Sequence, residues 1–162
     1  MSENVVRYTN VFYMQNLHEI GGTESFMYYI SKKYCDYNIT IYCKVAHPSI
    51  VARLRKFAKV KLYRGETIVC DKVFFNYNVD IIEHVIAKEY VQVFHTDYIA
   101  QGFKIRLHPK ITKLIGVSKA VCESVEKLTG KHCELVYNPI DVDEPKRVLK
   151  LVSATRLTPE KR

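Results

Sequence analysis

Short runs of β-branched and aromatic residues alternate along this chain with segments whose apolar positions recur every three to four residues. The run from Val5 to Met14 predicts a first strand. Phe26, Met27, Ile30 and Tyr34 then fall at helical spacing and predict a helix from Thr23 to Tyr34. A second strand follows from Ile39 to Lys44, and Ile50, Val51, Leu54 and Phe57 mark a short amphipathic helix. Strands are expected from Val60 to Tyr63 and from Lys72 to Phe75. Ile81, Ile82, Val85 and Ile86 fit one face of a helix from Asp80 to Lys88, ahead of a strand from Tyr90 to Phe94. A strand from Thr112 to Val117 leads into a helix from Lys119 to Thr129, with Gly130 placed to cap its end. Leu135 to Tyr137 is a last short strand before the turn Asn138-Pro139-Ile140-Asp141.

Strand and helix alternate throughout, and Ile39 to Tyr42 and Ile111 to Ile115 are dense in β-branched residues, as strands buried on both faces require. The expected fold is therefore α/β, a Rossmann-like parallel sheet with helices on both faces. A further apolar run, Val148 to Ser153, predicts one more strand, followed by a loop that holds Arg156 and Lys161. A strand with nothing to pair with is an unstable end for a domain. The expected division is an N-terminal domain over 1–145 and the opening of a truncated second domain over 146–162.

The formal net charge is +8, from 25 basic and 17 acidic residues, so acidic partners are expected. The charge is clustered. Between Tyr37 and Gly65 stand Lys44, Arg53, Arg55, Lys56, Lys59, Lys61 and Arg64 with no acid among them, and between Tyr98 and Cys122 stand Lys104, Arg106, Lys110, Lys113 and Lys119, again without one. Five cysteines, none in a C-x-x-C pair, read as free thiols of a reducing cytosol. The N-terminus lacks the basic and apolar regions of a secretory signal, and no apolar run approaches the roughly 20 residues of a membrane span. A cytoplasmic protein is expected, with peripheral contact at the inner face of a membrane.

In such a sheet, ligands bind at the carboxyl ends of the strands. After the first strand comes Gly21-Gly22-Thr23-Glu24, where two glycines let backbone approach a ligand and a helix N-terminus attracts anions. The same residues also make a plain tight turn, with Glu24 well placed against the helix dipole. The turn is not G-x-G-x-x-G, so a dinucleotide fingerprint is absent. After Phe94 come His95 and Thr96; a histidine there can donate into a cleft and change charge near neutrality, or serve as a satisfied structural residue. The histidines show no ligand spacing, which argues against zinc. Ser118 suits a helix N-cap and lies outside any G-x-S-x-G elbow. Arg156 and Lys161 could hold a diphosphate, one by a planar fork and one as a point charge; alternatively they are a solvated basic tail.

Taken in order, Gly21-Gly22-Thr23-Glu24, His95-Thr96, Ile115-Gly116-Val117-Ser118, Val136 to Asp141 and Leu151 to Lys161 resemble glycosyltransferase family 4, retaining enzymes of two Rossmann-like domains (the GT-B architecture). The resemblance spans nearly the whole chain, and its last segment is the most specific part. It implies an N-terminal, acceptor-side domain followed by the first strand of a donor domain. It implies that Gly21 and Gly22 lie near the donor diphosphate, that His95 faces the transferred sugar, and that Arg156 and Lys161 bind the diphosphate of a nucleotide-sugar. It further implies a transfer without metal or other cofactor, onto a glycan or lipid-linked acceptor. The family's paired acidic motif would lie beyond Arg162, and a glycine commonly follows the lysine where this chain has Arg162. By this resemblance the 162 residues alone do not catalyse transfer.

A second expectation is a non-catalytic adaptor or binding subunit built on the same domain. Ser49 to Lys59, apolar on one side and basic on others, suits an anionic membrane surface or an ordinary sheet-covering helix. Twelve tyrosines and the positive charge follow no RNA- or DNA-binding pattern, so no specific nucleic acid is expected.

Overall fold

The computed structural model describes residues 8–139. The strands are β1 (Tyr8–Met14), β2 (Asn16–Leu17), β3 (Ile39–Cys43), β4 (Val45–Ala46), β5 (Lys59–Leu62), β6 (Ile68–Asn76), β7 (Val85–Phe94), β8 (Lys113–Gly116) and β9 (Glu134–Leu135); the helices are α1 (Gly22–Lys33), α2 (Pro48–Leu54) and α3 (Lys119–Thr129). Seven strands form one sheet in the order β5-β3-β1-β6-β7-β8-β9, and every neighbouring pair is parallel. Among these seven, sequence order runs outward from β1 to one edge, then restarts beside β1 and runs to the other. The reversal between β1 and β6 opens a crevice at their carboxyl ends, the place where open parallel sheets take ligands.

Parity divides the sheet into two faces. Phe12, Phe74, Val93 and Ile115 share one face, where Phe12 stacks on Phe74 with ring centroids 4.6 Å apart. Phe26 and Ile30 of α1 border the same groove as these four. Tyr13, Phe75, Phe94 and Gly116 point the other way. Cys122 of α3 closes on Gly116, so tightly that a Cβ there would stand 2.6 Å from the thiol. Helices therefore cover both faces, as the alternation predicts. All five residues of β3 are buried, which accounts for its unbroken apolar and β-branched sequence.

α3 starts and stops where its sequence says. The Ser118 side chain accepts from Val121 N, and Gly130 takes the left-handed conformation at φ 68°. α2 begins with Pro48 at its first turn, and its apolar side is used internally: Ile50 and Leu54 are fully buried. Phe57, beyond its end, packs edge-on against Tyr28 of α1 at 5.5 Å. Arg53 lies over the same tyrosine ring at 4.7 Å. What this segment leaves for a membrane surface is charge, not an apolar face. Among the described residues no helix is long and apolar enough to cross a membrane.

The helix expected over Asp80 to Lys88 does not form. Val85 to Lys88 belong to β7, which pairs with β6 from Ile68↔Val85 to Asn76↔Val93. Only residues 77–84 remain to return the chain to the start of the next parallel strand. Eight residues reach about 26 Å when extended and only about 12 Å as a helix, whereas a nine-residue strand is about 30 Å long. The crossover must therefore run nearly extended, with a single 3-10 turn at Ile82–His84. Ile81, Ile82 and Val85 are buried all the same, whereas Ile86 is exposed, so three of the four apolar positions report burial and not helix. The expected strand over Val148 to Ser153, and with it the second domain, lies outside the described residues.

Candidate functional site

The chain leaves β1 at Met14 and is pinned immediately. Lys44 N and Val45 N donate to Gln15 O, β2 pairs with β4, and His47 N donates to Leu17 O at 2.8 Å. Leu17 is buried, so the loop up to Gly21 hangs from a fixed stem. Gly21 then caps α1 with extended backbone, φ −174°, which any residue adopts. A Cβ there would meet Glu24 Oε2, so any larger residue must displace that carboxylate from its present position. Glu24 sits in the first turn of α1, 4 % exposed, and folds back so that Oε1 accepts from His18 N at 2.9 Å. Gly22 has open space around it.

The neighbouring strand contributes the opposite wall. Asn76 ends β6 and is buried. Tyr77 follows at φ 65°, a left-handed conformation that costs a residue with a side chain about 1–2 kcal/mol. Its surroundings hold it there. Gln92 Nε2 donates to Tyr77 O at 3.2 Å, the Tyr77 and Thr23 hydroxyls are 2.9 Å apart, and Asn78 Nδ2 donates to Gln15 Oε1 at 2.6 Å. Together these walls enclose a cavity of about 440 Å³ at the topological switch, bordered by Gly21, Gly22, Glu24, Asn76 and Tyr77 among others.

His95 follows the carboxyl end of β7, on the α1 side of the sheet. Its Nε2 lies 2.8 Å from Asn76 Oδ1. Asn76 Nδ2 donates to Tyr13 O at 3.1 Å, so Oδ1 is the acceptor and the network assigns the proton to His95 Nε2. The ring stands edge-on to Phe26 at 5.1 Å and tilted against Tyr77 at 5.2 Å. Burial in this setting pushes its pKa down to about 4. The expectation that His95 changes charge near neutrality is thereby corrected: it is a neutral imidazole at pH 7, with its N–H committed to Asn76. Nδ1, which has no hydrogen-bond partner among the described residues, is the atom left for chemistry.

The structure thus brings Gly21, Gly22 and His95 to one end of the sheet. The glycines border the cavity; His95 stands behind Asn76 and Tyr77, which border it directly. Arg156 and Lys161 lie outside the described residues. Asn76 and Tyr77 are not among the residues expected at the site, because their role depends on β6 lying beside β1. A strand ending in Asn-Tyr-Asn after an apolar run is the one local signal that marks them. Comparison with family models, curated proteins and solved structures finds no match for this chain.

Proposed function

We propose that this chain is the acceptor-side portion of a retaining glycosyltransferase, one that moves a sugar from a nucleotide-sugar donor to a glycan or lipid-linked acceptor in the cytoplasm. The observation that carries the reading is the meeting of the glycine turn with the His95–Asn76–Tyr77 group at the switch-point crevice. The order of these motifs along the chain, which resembles glycosyltransferase family 4, supports the same reading. The basic stretches suit acidic partners, whether phosphates or a membrane surface.

In this reading the crevice holds and orients a sugar while its outer opening faces the donor. His95, fixed by Asn76 and neutral, backs the wall formed by Asn76 and Tyr77 and adds no charge of its own, and its contact with the transferred sugar rests on the resemblance alone. The roles of Arg156 and Lys161 on the diphosphate rest on the resemblance alone. Those cations would stabilise the charge that builds on the leaving diphosphate.

Titrating the ¹⁵N-labelled 162-residue chain with uridine-, guanosine- and adenosine-diphosphate hexoses tests the proposal. Amide shifts converging on Gly22, Tyr77 and His95 are expected with at least one of them. Silence with all, or shifts confined to the far end of the sheet, rejects it.

A further inference from the structure

Glu24 gives the crevice a chemistry that a glycine turn at a helix N-terminus does not suggest. Its carboxylate is almost wholly buried, yet it borders the cavity. Oε1 is occupied by His18 N, while Oε2 rests against Gly21 and has no hydrogen-bond partner among the described residues. The positive end of α1 is therefore already faced by a negative charge from its own first turn. Among the described residues no lysine or arginine borders the cavity, whose other polar groups are His18, Tyr77 and the neutral side chains of Gln15, Asn16, Thr23, Asn76 and Asn78. A phosphate placed here would meet a carboxylate that no ammonium or guanidinium of the described residues offsets, which disfavours the anion. A sugar ring suits the same wall. Its hydroxyls can donate to Oε2 and exchange hydrogen bonds with the amides, and Tyr77, partly exposed beside them, offers an aromatic flank.

We infer that the crevice recognises an uncharged hexopyranoside, with Glu24 Oε2 accepting from one of its hydroxyls, and that the diphosphate is bound elsewhere. The inference rests on the crevice being the ligand site of the proposed function, and it displaces the diphosphate from Gly21 and Gly22. In these terms Gly21 is a glycine so that Glu24 can fold back, and not so that a phosphate can approach.

The test is a pair of titrations of the ¹⁵N-labelled 162-residue chain at matched ionic strength, one with methyl glucoside, galactoside and mannoside, the other with inorganic pyrophosphate. At least one glycoside shifts the amides of Gly21, Gly22, Glu24 and Tyr77, and pyrophosphate leaves them in place. Glu24→Gln, checked as folded by its spectrum, weakens the glycoside about tenfold or more, as loss of a hydrogen bond to a charged group does. The wild-type contrast decides even where that variant fails to fold. Pyrophosphate shifting the glycine turn overturns the inference. So does a Glu24→Gln chain that binds as tightly as wild type, or silence with all three glycosides. Nucleotide-sugar shifts at the crevice, combined with pyrophosphate shifts at the turn, would remove this inference and leave the transferase reading standing; silence in every titration removes both.

Discussion

Asn76 fixes the tautomer of His95. The amide's Nδ2 is committed to Tyr13 O, and its Oδ1 lies 2.8 Å from His95 Nε2, so the imidazole must donate from Nε2. One strand thus sets the protonation state of a side chain on the next, through an asparagine that is itself buried. The arrangement leaves Nδ1 as a lone-pair acceptor and keeps charge out of a site that also contains a buried carboxylate.

The first prediction concerns that proton. Long-range ¹H–¹⁵N correlation at pH 7 should show His95 neutral and protonated at Nε2. Replacing Asn76 with Asp puts an anion in hydrogen-bond reach, which favours the imidazolium. The His95 pKa, about 4 in the wild type, should rise in N76D to the ordinary histidine value or above. A titration that stays near 4 would show that the neighbouring amide does not govern this ring.

The lowered pKa also has a consequence for stability. The unfolded chain takes up a proton at His95 near pH 6.5, whereas the folded chain resists until about pH 4. Between those values the unfolded state binds more protons, so stability falls as pH falls. The window is pH 6.5 to 4, and the full effect is roughly 3 kcal/mol. Urea unfolding across this range should show His95→Gln losing correspondingly less stability than wild type.

Much of this fold was legible before any coordinates. α3 carries its own start and stop in Ser118 and Gly130, so its ends follow from local chemistry. β3 is β-branched because both of its faces are buried. Asp80 to Lys88 reads as a helix because Ile81, Ile82, Val85 and Ile86 match helical spacing, but the first two are buried on an extended crossover and the last two belong to β7. The site was half legible. The glycine turn and His95 stand at strand ends and announce themselves, but Tyr77 matters only because β6 pairs with β1, a relation between residues more than 60 positions apart in Tyr13↔Phe75. The contact between Gly21 and Glu24 depends on the rotamer of that carboxylate, which no sequence pattern encodes.

Tyr77 and Thr23 join the two walls through their hydroxyls, 2.9 Å apart. Tyr77→Phe keeps the ring against His95 and removes only that bond. It should cost about 1 kcal/mol, and in a cycle with Thr23→Val the coupling should be of the same size. Additive losses measured by urea unfolding would show that the two walls are held by other contacts.

The cysteines divide cleanly by burial. Cys43, Cys70, Cys122 and Cys133 are buried, and Cys35 is exposed. Burial pushes the thiols of Cys43, Cys70 and Cys133 up to about 11, 12 and 12, which starves them of thiolate. Under native conditions a disulfide reagent should label one thiol per chain rapidly, at Cys35, and the other four only as the protein opens. Cys35→Ser should abolish the fast phase.

The adjacent glycines of the turn should respond in opposite ways. At Gly21 a methyl group meets the Glu24 carboxylate, which is buried and tied to His18 N, so Gly21→Ala must displace a packed side chain. Overpacking of this kind costs about 1–3 kcal/mol. At Gly22 a Cβ meets nothing within 4 Å, and the residue is the first of α1. There alanine gains helix propensity and loses freedom in the unfolded chain, so Gly22→Ala should be neutral or stabilising by up to about 1 kcal/mol. Thermal unfolding of the two single variants checks the contrast. Equal destabilisation by both would mean that close approach of a ligand or of backbone, and not the carboxylate of Glu24, is what selects glycine at this turn.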